Sequence, residues 1–220
     1  VAHAVDLDGP EECFFLLEND FVSSTLYNTM GCFDYAFDLL ERDLSRPYAF
    51  ARLQLQALAW QRPTRRWVLK SPIHLWHLDA LMAAFPDARI VFTGRCIGEA
   101  LTSNCSLSAM TTAMFSSRFD PIALGSFWED YYRRGTARAL DARRRIPDDQ
   151  QLDLSLERLA ADPVAAVRGI YDHFGMDFTE AEPAIEAKLR EIAAQPKVGK
   201  HEYDPAMFGL DLNRLRDEFP

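Results

Sequence analysis

Between Arg66 and Ser103 the chain spells out a strand, a turn, a helix and a second strand, and this unit limits what the rest can become. Trp67, Val68 and Leu69 form the short apolar run expected of a parallel strand buried on both faces. Ser71 suits a helix cap, and Pro72 suits the first helical position, where a missing N–H costs nothing. Leu75, Leu78, Leu81, Met82 and Phe85 then recur at helical spacing. Pro86-Asp87 stops that helix, and Ile90, Val91 and Phe92 read as a second buried strand. A right-handed crossover sets two such strands parallel. The expected class is α/β, a parallel sheet flanked by helices.

Lys70 leaves the end of the first expected strand beside a helix start, and Arg95 leaves the end of the second. Free backbone donors, a helix dipole and a lysine together make an anion site. The alternative is a pair of solvated basic residues at loop starts. His74, at the third helical position, is a candidate to take a proton near neutral pH, or else a packing residue. His77 follows one turn later, but the two histidines have no further ligands at zinc-site spacing. Glu11 and Glu12 read as first-turn acids that favour a helix dipole, with a general base as the other reading.

A chain of 220 residues with 48% hydrophobic content can bury one good core, so a single domain over 1–220 is expected. The net charge of -9 opposes general nucleic-acid binding while leaving room for a local basic pocket. No apolar run reaches the roughly 18 residues of a membrane span. Cys13, Cys32, Cys96 and Cys105 lack metal-site spacing and nothing demands a disulfide, so the plain expectation is a cytoplasmic protein without a metal.

Along the rest of the chain, a helix is expected from Pro47 to Trp60, another from Glu99 to Met114, and a third around Phe127–Leu140. The cluster Arg143-Arg144-Arg145 reads as the solvated end of that third helix. Residues 151–156 alternate as a strand. Asp162-Pro163 opens a helix that Gly175 closes, and Thr179 with Glu182 reads as a capping box. Gly199 between Lys197 and Lys200 gives a basic loop able to wrap a phosphate, or a simple exposed loop.

Three stretches together resemble the bacterial branch of the sulfotransferase family. They are Leu69-Lys70-Ser71-Pro72-Ile73-His74 followed by Phe85-Pro86-Asp87-Ala88-Arg89-Ile90-Val91, then Leu156 to Gly175, then Lys197 to Leu210. The resemblance implies a P-loop nucleotide-kinase-like fold and transfer of a sulfuryl group from 3'-phosphoadenosine-5'-phosphosulfate to an alcohol, phenol or amine; the acceptor expected here is a hydroxyl of a small or lipid-like molecule. It implies that Lys70 lies near the transferred sulfate, that Arg95 and Ser103 bind the donor's 3'-phosphate, and that Gly199 and Lys200 close over it. Two departures stand out. No glycine-rich basic loop precedes Lys70, so the N-terminal part of the family domain is expected to lie outside this sequence. The turn after the second strand reads Gly94-Arg95-Cys96-Ile97 rather than a His-Arg-Asp-Pro-like sequence. A P-loop-type phosphotransferase and an inactive nucleotide-binding or scaffold protein are the alternative readings.

Overall fold

The computed structural model describes Gly9 and residues 11–61, 66–117, 119–194 and 204–219. Four helices come first: α1 (Phe14–Glu18), α2 (Ser24–Thr29), α3 (Phe33–Glu41) and α4 (Ser45–Ala59). A 3-10 helix over Pro72–His77 runs into α5 (Leu78–Ala84), followed by β1 (Ile90–Gly94). Two long helices, α6 (Ile97–Thr112) and α7 (Pro121–Arg143), then lead to β2 (Gln151–Ser155). The chain continues through α8 (Leu156–Ala161), α9 (Pro163–His173) and α10 (Ala181–Ala194). A 3-10 turn at Pro205–Phe208 and α11 (Leu212–Glu218) complete the described part.

The sheet is parallel, as expected of α/β, but its strands are β1 and β2, in register from Ile90 opposite Gln151 to Gly94 opposite Ser155. Trp67–Leu69 does not form the expected strand, and no described strand lies beside it. An apolar run reports a buried strand only where neighbours cover both faces. Here Val68 is 91% exposed and Trp67 41%. The expected continuous helix from Pro72 to Phe85 is broken at His77, whose backbone sits at φ -134 and ψ 39. Pro72 does occupy the first turn, but the Ser71 hydroxyl caps nothing and is buried without a hydrogen-bond partner among the described residues.

Helix α7 is the spine of the core. Asp120 accepts hydrogen bonds from the N–H groups of Ile122 and Ala123, and Pro121 takes the first position. Phe127, Trp128 and Tyr131 are buried along it. Phe127 stacks on Phe33 at 4.0 Å, and Trp76 meets Tyr131 edge-on at 5.8 Å. Each such ring contributes about 1.5–3 kcal/mol through burial. The Trp76 contact fixes the 3-10 helix that carries His74 against α7.

Glycine lets two elements approach α7. A Cβ on Gly135 would lie 2.5 Å from the Trp76 ring, and one on Gly125 would lie 1.9 Å from the Phe208 carbonyl oxygen. The second contact seats the 3-10 turn at Pro205–Phe208 on α7.

The Arg143–Arg145 cluster is more than a solvated helix end. Arg143 donates to Gln151 at 2.7 Å and to Asp153 at 2.8 Å, and it lies over the Phe92 ring, tying α7 to the sheet. Arg145 reaches Asp79 on α5 at 2.8 Å. Glu182 pairs with Arg168 instead of completing a capping box. Asp162 and Gly175 behave as expected: the first caps α9 through the Ala165 N–H, and the second leaves it at φ +61.

Candidate active site

Lys70 is exposed, and its ammonium group pairs with the Glu12 carboxylate. The pairing follows from the backbone. The Cys13 N–H donates to the Lys70 carbonyl at 3.0 Å, so residues 12 and 70 leave adjacent points on two segments. The Cys13 thiol lies 3.3 Å from the same carbonyl and 3.0 Å from Nε2 of His74. On the other side of the ring, the Tyr48 hydroxyl lies 2.8 Å from Nδ1 of His74. A chain of polar groups therefore runs from α4 through His74 and Cys13 to the backbone of Lys70.

Burial sets the charge of these groups. It pushes His74 down to about 4, pushes the Cys13 thiol up, and pushes the Tyr48 phenol well up. All three are neutral near pH 7. His77 does not reach His74 by a hydrogen bond and does not face solvent. It is buried, pushed to about 4 first by burial and then by nearby Arg138, and its Nε2 has no partner among the described residues.

Arg95 lies at the carboxyl ends of the two strands, in an open cleft of about 360 Å³ lined also by Gly94, Cys96, Asp153, Ser155 and Glu157. Ligands of parallel α/β sheets bind at this edge, because helix N-termini and loop N–H groups converge there. Helix α6 starts at Ile97 with no side-chain cap, so its first-turn donors remain available. Arg95 is close enough to Tyr132 to oppose the upward push of burial on that phenol, which stands at about 12. Ser103 lies half-buried in the second turn of α6, and no hydrogen bond joins it to Arg95. Gly199 and Lys200 lie outside the described residues.

The structure thus brings Lys70 and His74 into one cluster through Cys13 and places Arg95 in a strand-end cleft. It adds Glu12, Cys13 and Tyr48. Glu12 carried a weak signal in the sequence as one of two acids at a helix start. Cys13 and Tyr48 carried none, since their partners are 61 and 26 residues away.

A family model described as the sulfotransferase family matches residues 1–180. Sulfotransferase STF1 from Mycobacterium tuberculosis H37Rv is similar at 31% identity with a TM-score of 0.85, over 99% of this chain and 56% of that one. Sulfotransferase STF9 from Mycobacterium avium is similar at 28% identity with a TM-score of 0.86, over 97% and 55%. The chain spans little more than half the length of these two proteins. No curated protein matches it. The family match over most of the chain and the shared parallel α/β architecture agree: the chain belongs to the sulfotransferase family.

Proposed function

We propose that this chain carries the sulfuryl-transfer site of an enzyme that uses 3'-phosphoadenosine-5'-phosphosulfate and a hydroxyl-bearing acceptor, small or lipid-like. The observation that supports it most is Lys70, an exposed cation fixed by its own backbone carbonyl and placed beside a carboxylate. A positioned ammonium stabilises the charge that develops on the departing oxygen more than it stabilises bound substrate. Arg95, at the strand ends, is the proposed ligand of the 3'-phosphate, through a charge-assisted and bidentate contact. Ser103 is proposed to add a neutral hydroxyl, and Gly199 and Lys200 to close over the same phosphate. His74 belongs to the catalytic cluster. The cytoplasm is the proposed compartment, in keeping with four free cysteines.

The altered turn Gly94-Arg95-Cys96-Ile97 favours a second reading, a nucleotide-binding protein without turnover. Titration calorimetry of the full-length protein with adenosine 3',5'-bisphosphate and with adenosine 5'-monophosphate tests the donor site. The bisphosphate should bind more tightly, and equal binding would overturn the site. Release of the bisphosphate from the sulfated donor, in step with sulfation of an added alcohol or phenol, separates the enzyme from the inactive reading.

A further inference from the structure

The segment that follows Ser71 is a 3-10 helix of six residues, Pro72–His77, and it runs directly into α5. Runs of 3-10 helix beyond three or four residues are uncommon, because their hydrogen bonds are poorly aligned and side chains three apart eclipse. The His74 N–H reaches the Ser71 carbonyl at 3.3 Å, at the long end of the range. A continuous α-helix from Pro72 to Ala84 is the ordinary alternative for the same residues, and their apolar spacing suits it.

Two buried side-chain polar atoms lack a hydrogen-bond partner among the described residues, and they lie at the two ends of this segment: Oγ of Ser71 and Nε2 of His77. Each is a cost, since a buried polar group without a partner has given up water for nothing. Both costs belong to the 3-10 form. Ser71 already has the extended backbone of a helix N-cap, at φ -160 and ψ 137, yet its hydroxyl caps nothing. In an α-helix that begins at Pro72, the N–H groups of Ile73 and His74 are the ones an N-cap hydroxyl accepts from. His77 interrupts the path into α5 with φ -134 and ψ 39. Helical dihedrals there would turn its imidazole out of the position in which Nε2 is unpartnered.

Other contacts hold the 3-10 form against these costs. The Tyr48 hydroxyl lies 2.8 Å from Nδ1 of His74, and the Cys13 thiol lies 3.0 Å from Nε2. Trp76 meets Tyr131 and Tyr132 edge-on at 5.8 and 5.3 Å. A few contacts therefore stand on each side, a balance that leaves the second form populated on the order of 1%.

We propose that Pro72–His77 is a two-state segment, with Lys70 forward in the 3-10 form and withdrawn in the α-helical form. Its six residues span about 12 Å as a 3-10 helix and about 9 Å as an α-helix. The fixed end is α5, where Leu78 and Leu81 are buried and Asp79 is bound by Arg145. The shortening of about 3 Å falls on the Lys70 end, with a turn of roughly 120° between the two ends. That movement takes His74 off Tyr48 and Cys13, and takes the Lys70 carbonyl away from the Cys13 N–H that holds it in the 3-10 form. The two states stand on this geometry alone. Their meaning for the reaction, a cation that advances on the transferred group or retreats from it, rests on the sulfuryl-transfer reading above.

The test needs no substrate. Relaxation-dispersion and saturation-transfer NMR of the full-length protein read exchange at residues 71–78 on the microsecond-to-millisecond scale of helix rearrangement. The minor state should carry a helical Cα shift at His77. Tyr48→Phe deletes one bond of the 3-10 form and should raise the minor population about fivefold, the weight of one hydrogen bond. Cys13→Ala deletes the other bond to His74 and should act in the same direction, which guards against a Tyr48→Phe variant that folds poorly. Ser71→Ala deletes the cap of the α-helical form and should lower the minor population about fivefold. It should also leave the urea midpoint unchanged or raised, because the hydroxyl it removes is unpaired in the major form. Absence of exchange in wild type and in both His74-releasing variants overturns the proposal. So does exchange that Ser71→Ala leaves undiminished, and so does a urea midpoint that Ser71→Ala lowers, which would mean a bonded hydroxyl in the major form. A protein that shows the exchange yet releases no adenosine 3',5'-bisphosphate with any acceptor keeps the two-state segment and overturns the proposed function instead.

Discussion

The Tyr48 hydroxyl and Nδ1 of His74 lie 2.8 Å apart, joining α4 to the turn that follows Lys70. Tyr48 is 1% exposed, so its hydroxyl cannot exchange this bond for water. Tyr48→Phe leaves the packing ring in place and removes only the oxygen. Leaving a buried polar atom unpaired costs about 1–3 kcal/mol, and urea unfolding should show a lower midpoint with an unchanged slope.

Gly135→Ala tests how tightly that turn is held on the core. The added methyl would meet the Trp76 ring at 2.5 Å, and Trp76 is itself wedged edge-on between Tyr131 and Tyr132. Overpacking of this kind costs about 1–3 kcal/mol. The expected result is a lower thermal midpoint together with weaker hydrogen-exchange protection at residues 73–77.

Gly125→Ala should act at the other end of α7. Its methyl would meet the Phe208 carbonyl at 1.9 Å, and backbone cannot rotate away as a side chain can. The 3-10 turn at Pro205–Phe208 should lift from the helix. Protection of amides 206–210 should fall further than protection of β1 and β2. Equal loss everywhere would mean that the contact supports the whole core rather than this segment.

Acid should weaken the fold in a defined window. His74 and His77 sit near 4 in the folded chain, below the ordinary histidine value of about 6.5. Between those values the unfolded chain binds more protons, so stability is fully present above about pH 6.5 and is lost as pH falls toward 4. The slope is at most about 1.4 kcal/mol per pH unit for each histidine. Denaturant unfolding at pH 7 and pH 5 should reveal the loss, and His77→Asn should remove about half of it. Carboxylates held low by arginines, such as Asp153 beside Arg143, act at lower pH and leave this window to the histidines.

What the sequence revealed of these features depended on range. Strands 90–94 and 151–155 each carry their own local pattern, and both appear where that pattern placed them. Asp162-Pro163 announces α9, and the same Asp-Pro signal at Asp120-Pro121 starts α7, ahead of the Phe127 around which the apolar spacing places that helix. Trp67–Leu69 misled because local hydrophobicity cannot say whether a neighbouring strand is present. Lys70 and Arg95 stood out in the sequence as candidates because each is a single cation at the end of a local apolar run. The Cys13–His74–Tyr48 chain did not, since it joins three segments that only the packing of α1 and α4 around the turn brings together.

Lys70 and Arg95 are both exposed cations near strand or turn ends, but their substitutions should leave different kinetic signatures. Lys70→Ala removes the ammonium beside Glu12 and leaves the backbone strap to Cys13 intact, because that strap uses the Lys70 carbonyl. If its charge meets the departing oxygen, the interaction is strongest in the transition state and k for the chemical step should fall about 10²–10³-fold. Donor affinity should change far less. Arg95→Ala should do the reverse, since a contact with the 3'-phosphate is the same before and during transfer and so raises the donor's apparent Kd with little change in the step itself. It should also erase the preference for adenosine 3',5'-bisphosphate over adenosine 5'-monophosphate. Single-turnover kinetics at saturating donor, paired with calorimetry on both variants, separates the two roles. A Lys70→Ala variant that binds poorly but reacts at the wild-type rate would place Lys70 in donor binding and return the chemistry of the departing oxygen to another group.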